Sequence, residues 1–291
     1  MIPGLDIASY KQGPAGIDWP AVAKYLTGLH PEAFVIVKVS EGVGYVNPYL
    51  HNQRQGAHAA GIRNVGLYHY GRPGQASGSA EADWFMKCIG DDGGVLAGEF
   101  YALDVEDTAV PATADLDAYV LDWSGRVGRP SGLSTIVYTG SWYADPHNLN
   151  RDPKLAQLGL WWASVGSSIP PTPMPWLTAG KGILLWQYNW TGSIPGIVGP
   201  VDLDWLVGGI DTLRPYQWGF QVDPLLGYTD VPIDVNVPLN SESLDDMKAV
   251  AGAMRGHCDT IGAARPGAQL GDVAKVIKAE ADWLVRASWG H

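Results

Sequence analysis

Asp104 and Glu106 stand two residues apart in Ala102-Leu103-Asp104-Val105-Glu106-Asp107, a spacing that puts both carboxyl groups on one face if the segment is a strand. Two carboxyl groups so placed can divide labour. One is kept protonated by its surroundings as a general acid, while the other stays ionised and stabilises positive charge, the pairing that glycoside hydrolysis requires. The same string also reads as a solvated acidic turn, since acidic residues mostly lie at surfaces. Asp6 lies within the apolar run Leu5 to Ala8, either as an edge residue or as a buried functional group, and Asp202 lies within Val201 to Leu203. Nucleophilic serine chemistry has no support, because no G-x-S-x-G elbow occurs.

Three histidines invite a catalytic reading, and each has a plainer one. His51 and His58 are one heptad apart on an expected helix outside the sheet, which suits a surface role. His69 is flanked by Tyr68 and Tyr70, and a period of two sends it to the opposite face from both, as a satisfied structural histidine. Tyr68 and Tyr138 can either hydrogen-bond a ligand or cap the core.

These residues need elements to hold them. Eight short apolar runs bounded by Gly, Pro, Asn or Asp read as strands: Leu5 to Ala8, Phe34 to Val39, Val65 to Tyr70, Phe100 to Val105, Thr135 to Tyr138, Leu160 to Ala163, Ile183 to Tyr188 and Val201 to Leu203. Helical stretches lie between the early ones, at Trp19 to Leu26 after Asp18 as N-cap, Tyr49 to Ala60, Ala80 to Ile89, and Leu116 to Val127 after Asp115. This alternation argues for an α/β fold with a parallel sheet, and eight strands match the number at which a sheet closes around its own side chains. In such barrels chemistry gathers at the C-terminal strand ends. Closure makes the first and eighth strands neighbours, so Asp6, Asp202, Asp104 and Glu106 are expected in one cleft, where like charges raise at least one pKa. A hard-cation site would add backbone and amide oxygens from a compact loop, so neither a metal nor a cofactor is expected.

The chain has 30 acidic against 19 basic residues, a net charge of -11 that repels nucleic acid and anionic lipid. No apolar run is long enough for a membrane span, and no signal-peptide pattern precedes the first strand, which points to synthesis in the cytoplasm. Cys88 and Cys258 have no metal-type spacing and read as free thiols. From about residue 211 the texture changes to a Pro-rich extended connector through 240. Residues 241–291 then form an expected helical hairpin whose first stripe is Leu244, Met247, Ala251, Met254, Cys258 and Ile261.

Taken in order, Gly4-Leu5-Asp6-Ile7-Ala8-Ser9-Tyr10, Val37-Lys38-Val39-Ser40-Glu41-Gly42, Gly66-Leu67-Tyr68-His69-Tyr70, Leu103-Asp104-Val105-Glu106, Trp186-Gln187-Tyr188 and Val201-Asp202-Leu203 resemble the family-25 glycoside hydrolase lysozymes over about residues 1 to 210. The resemblance implies a modified TIM-like barrel of eight strands, (β/α)5(β)3, here followed by a small mainly helical C-terminal domain. It implies cleavage of the β-1,4 bond between N-acetylmuramic acid and N-acetylglucosamine in bacterial peptidoglycan. Glu106 then matches the general acid, Asp104 the group assisting a neighbouring-group step, and Asp6 and Asp202 the other cleft carboxylates. Tyr68, Tyr138 and Trp186 match cleft-lining positions. Ile7-Ala8-Ser9 departs from the family's usual Val-Ser after the first Asp, and the tail matches no familiar wall-binding repeat. With no export signal, the resemblance suggests a phage endolysin whose tail binds the wall or pairs with a second copy. A non-catalytic peptidoglycan-binding protein and a chitinase-like hydrolase are the rival readings.

Overall fold

The eight apolar runs form strands that close on themselves. The computed structural model describes residues 1–218 apart from 13–15, 110–114, 132–133 and 150–151. The rest of the expected connector, the helical hairpin with its wall-binding or pairing role, and Cys258 lie outside the described residues. In chain order the elements are β1 (Ile2–Ile7), α1 (Ser9–Gln12), α2 (Trp19–Leu29), β2 (Phe34–Glu41), β3 (Tyr45–Val46), α3 (Leu50–Ala59), β4 (Asn64–Tyr70), α4 (Gly78–Asp91) and β5 (Glu99–Asp104). They continue with α5 (Leu116–Ser131), β6 (Ile136–Gly140), α6 (Ser141–His147), β7 (Gly159–Ala163), β8 (Leu185–Gly192) and β9 (Val201–Leu206). Five β/α units followed by three strands is the arrangement expected. The short β3, hairpinned onto β2, the single-turn α1 and the seven-residue α6 were not among the expected stretches.

Neighbouring strands run β1-β9-β8-β7-β6-β5-β4-β2, and β1 pairs with β2 to close the ring. The sheet is not wholly parallel, as the strand–helix alternation had suggested. β9 is antiparallel to both β8 and β1, because only a short connection separates it from β8 and no crossover helix intervenes. The consequence matters for the site: the beginning of β9 lies at the end of the barrel where the other strands finish.

Side-chain parity sorts the core into two layers. Ile2, Phe34, Ile36, Tyr68, Phe100, Ala102, Ile136, Tyr138, Trp161 and Leu206 fill the barrel, whereas Leu5, Val35, Val37, Leu67, Tyr101, Leu103 and Val137 pack outward in the larger cluster with Val22, Leu26, Phe85, Val120 and Trp123 of the helices. Gly66 is inward too, and a Cβ there would come within 2.6 Å of the Phe100 ring, so small and large residues alternate to fit the interior. Local signals start the helices as expected: the Asp18 side chain accepts from Ala21 N at 3.2 Å, with Pro20 in the first turn, and Asp115 accepts from Ala118 N at 3.0 Å. Residues 210–216, all but the first assigned to the connector, form two 3-10 turns; Leu213 enters the inner cluster and Trp218 N donates to Glu99 O at 2.8 Å. The packed body thus runs on to Trp218.

His69 is outward and buried, as expected. Its Nδ1 meets Ser40 Oγ at 2.8 Å, its Nε2 meets Glu81 Oε2 at 2.8 Å, and its ring stacks on Trp123. Burial holds its pKa below the usual histidine value, against the opposing effect of Glu81. His51 is exposed, but His58 departs from its expected surface role: its Nε2 reaches the buried Glu99 carboxylate at 3.1 Å. Among the described residues no helix is long and apolar enough to cross a membrane.

Candidate active site

At the end of the barrel where the parallel strands finish, Asp6, Lys38, Glu41, Tyr68, Tyr70, Asp104, Glu106, Tyr138, Trp161, Gln187 and Asp202 line a cavity of about 280 Å³. Each arrives by a strand. Asp6 ends the inward series Ile2, Gly4, Asp6 of β1, and Asp202 of the antiparallel β9 pairs directly with it. Asp104 is the last residue of β5. Glu106 lies two residues beyond, and the ladder continues between them through Val105 N to Tyr138 O at 2.9 Å, which keeps Glu106 on the cavity side.

Six of the seven residues singled out therefore converge. The exception is Trp186: its side chain belongs to the outer layer, with Nε1 donating to Ser164 O at 2.7 Å and its ring tilted against Tyr188. Both faces of β8 are buried from Leu185 to Gln187, so the apolar run did not reveal its parity; pairing of Leu185 with Trp161 and of Trp186 with Trp162 decides it. Gln187 faces the cavity instead, and Trp161 supplies the inward indole.

Gln187 organises one wall. Its Oε1 accepts from the Tyr138 hydroxyl at 2.9 Å and from Trp190 Nε1 at 2.8 Å, which leaves Nε2 to donate to Asp6 Oδ2 at 2.7 Å. Behind Asp6 lies Asp204, which was not among the candidate residues. It is 1 % exposed, accepts from Trp161 Nε1 at 2.8 Å and hydrogen-bonds Asp6. Burial first, then the Asp6 charge, push the Asp204 carboxyl well above the usual range, so the Asp6–Asp204 pair retains a proton where ordinary carboxylates are ionised.

Lys38, Glu41 and Tyr70 form the facing wall and were also missed. The signal for Lys38 was a lone lysine in the apolar run Phe34 to Val39. Glu41 depended on a bulge: the β2–β4 register shifts between Lys38 and Ser40, so Val39 and Ser40 both turn outward and Glu41 turns in. Lys38 Nζ donates to Glu41 Oε2 at 2.7 Å, and Arg72 Nε donates to Glu41 Oε1 at 2.9 Å while its Nη1 reaches Asp107 at 2.9 Å. Burial pushes Glu41 up, but these hydrogen bonds and charges outweigh it and hold the carboxyl below the usual range. Lys38 also lies over the Tyr70 ring, 4.8 Å from its centroid.

Asp104 behaves oppositely. Burial, then Glu106, then Asp6 and Glu41 raise its pKa well above the carboxylate range, with Lys38 pulling the other way. Its Oδ1 has no hydrogen-bond partner among the described residues. The cleft thus holds a carboxyl pair, Asp104 and Glu106, that retains a proton above the usual carboxylate range, next to neutral hydrogen-bonding phenols. Among the described residues no three His, Cys, Asp or Glu side chains converge to hold a metal ion.

A stability consequence follows for Asp204. Its folded-state pKa lies above the unfolded value near 3.8, so the native state binds the extra proton, and its contribution to stability is lost as pH rises toward and through the folded value. Asp204→Asn can bond both Asp6 and Trp161 without titrating. Its melting temperature relative to the parent is expected to climb as pH rises above about 4. A difference independent of pH would show that Asp204 is not protonated in the fold.

The comparisons with known proteins agree with this geometry. The model of glycosyl hydrolases family 25 matches residues 5–197. Lysozyme M1 of Streptomyces globisporus is 28% identical over 210 residues, 69% of this chain and 66% of that protein. The N,O-diacetylmuramidase of Chalaropsis sp is 33% identical over 160 residues, 49% of this chain and 68% of that protein. The fold matches the crystal structure of the bacterial lysozyme from Streptomyces coelicolor with a TM-score of 0.60 at 24% identity, covering 74% of this chain and 96% of that one. With the matched span enclosing the carboxylates of β1 and β5, the chain belongs to glycosyl hydrolases family 25 and is a glycoside hydrolase of the lysozyme type.

Proposed function

We propose that the chain hydrolyses the β-1,4 bond between N-acetylmuramic acid and N-acetylglucosamine in bacterial peptidoglycan, with Glu106 as general acid. The observation that carries this reading is the Asp104–Glu106 pair: two carboxyl groups on one cavity wall that together retain a proton above the usual carboxylate range, so that one serves as acid while the other is ionised. Glu106 is the more exposed of the two and the one placed to pass a proton to the glycosidic oxygen. As the bond breaks, the acetamido oxygen of the substrate attacks the anomeric carbon from the opposite face. Asp104 accepts the acetamido N–H and stabilises the cyclic cation. Water then opens that ring with Glu106, now ionised, as base, and configuration is retained. Asp6 and Asp202 supply further negative charge beside the oxocarbenium-like centre, and the Tyr68 and Tyr138 hydroxyl groups orient the sugar. These roles are supported by the common lining of one cavity, and the substrate by the names of the lysozyme and muramidase relatives.

Reducing-end analysis of digested peptidoglycan tests the reading. Muramic acid ends are expected. N-acetylglucosamine ends, or turnover of chitin in preference to peptidoglycan, would assign the cleft to a chitinase-like reaction, and an ester trapped on Asp104 would replace the neighbouring-group step with a covalent one. The biological setting we propose is lysis of a host cell by a phage, the enzyme being made in the cytoplasm and meeting the wall once the membrane is breached. It rests on the wall-cleaving chemistry alone, and lysis timing with and without a membrane-permeabilising protein checks it.

A further inference from the structure

Most tryptophans of the described barrel are buried, among them Trp123, Trp161, Trp162, Trp176 and Trp186. Trp142 and Trp190 are not: each is 43% exposed, and they lie against one another edge to face, 5.5 Å between ring centroids at 86°. Both are at the mouth. Trp142 follows β6, whose Tyr138 lines the cavity, and Trp190 is three residues past the cavity-lining Gln187 on β8.

Both indoles are also held in place. Trp190 Nε1 is committed to Gln187 Oε1 at 2.8 Å, so that indole has a ring face to offer and no free N–H. The Trp142 ring lies on Gly140 so closely that a Cβ there would fall 2.1 Å from it. Exposed aromatic surface that is preorganised costs little entropy to engage, and it marks a binding site more often than an accident of packing. The occupant is constrained by charge. Asp6, Asp104, Glu106 and Asp202 line the adjoining cavity, so a phosphate-bearing partner is repelled, whereas a pyranose offers an uncharged C–H face to an indole and hydroxyl groups to the acidic rim.

We propose that Trp142 and Trp190 form a further sugar subsite on the β6–β8 side of the mouth, which takes a hexosamine ring of the glycan strand beyond the two sugars joined by the cleaved bond. This rests on the glycan-cleaving reading above. Trp190 has a second role as a positioning residue: by occupying Gln187 Oε1 it helps turn Nε2 toward Asp6, so occupancy of the subsite and the setting of Asp6 are mechanically joined.

The test compares the full chain with Trp142→Ala and Trp142→Tyr on glycan strands of increasing length. For long strands, Trp142→Ala is expected to raise KM about tenfold, equivalent to 1.4 kcal/mol, with a much smaller change in kcat; the effect shrinks on the shortest strand cleaved, and Trp142→Tyr recovers most of it. Equal losses at every length, or none, would overturn the subsite. A second readout does not depend on turnover: titration with the hexasaccharide of N-acetylglucosamine is expected to quench indole fluorescence in the parent and in Trp190→Phe, and much less in Trp142→Ala. A fluorescence response in a protein that cleaves no strand retains the subsite and removes the glycan-cleaving reading. Cleavage without any length dependence does the reverse.

Discussion

Glu106→Gln is expected to lower kcat on peptidoglycan by about 10³-fold while leaving glycan binding within a few-fold of the parent. The amide has the shape of the acid and occupies the same partly exposed position beyond β5, so the cavity should keep its form. What it lacks is a proton to give, and the leaving sugar oxygen must then depart as an alkoxide. Initial rates and an equilibrium titration with the same oligosaccharide measure the two halves separately. Retention of more than about a tenth of the parent kcat would remove Glu106 as the general acid.

Arg54→Met is expected to destabilise the fold by about 3–5 kcal/mol, read as the shift in the urea midpoint. Arg54 and Glu99 are both fully buried, and the guanidinium spans the carboxylate with Nε to Oε1 at 2.6 Å and Nη2 to Oε2 at 2.8 Å. Its Nη1 adds Asp92 Oδ2 at 3.1 Å, and Nη2 also bonds Gly94 O. Methionine fills most of the volume but leaves Glu99 with only His58 Nε2 and the Leu96 amide, too little for a buried charge. Lysine is no substitute, because a single ammonium cannot reproduce the two-pronged contact. Replacing both partners, as Arg54→Met with Glu99→Leu, should recover much of the loss. Glu99 is the first residue of the strand that ends in Asp104, so this pair anchors the far end of the strand that carries the acid pair. A loss below about 1 kcal/mol in the single variant would mean that Glu99 takes up a proton or water instead.

The carboxylate cluster was legible before any coordinates because its geometry is mostly local. Two residues separate Asp104 from Glu106, and a period of two holds wherever the backbone is extended. The same parity sent His69 away from the cleft and onto Ser40 and Glu81. The strands themselves were readable from apolar runs bounded by turn residues, and the Asp18 and Asp115 caps from side chains that bond their own helix starts. The missed residues share a different property. Lys38, Glu41, Trp161, Gln187 and Asp204 sit in strands buried on both faces, where hydrophobicity carries no parity.

Sequence alone therefore determined where the eight barrel strands lie, which acids share a face and that eight strands close a ring, since each depends on local sterics and the count of apolar runs. Only the tertiary structure decided that β9 runs antiparallel, which sets the register of the expected Asp6–Asp202 neighbours and puts Asp204 behind Asp6. It alone decided that a bulge after Lys38 turns Glu41 inward, and that β8 presents Gln187 rather than Trp186. Register and strand direction are set by partners far away in the chain, and a one-residue slip exchanges the two faces of a strand without altering its composition.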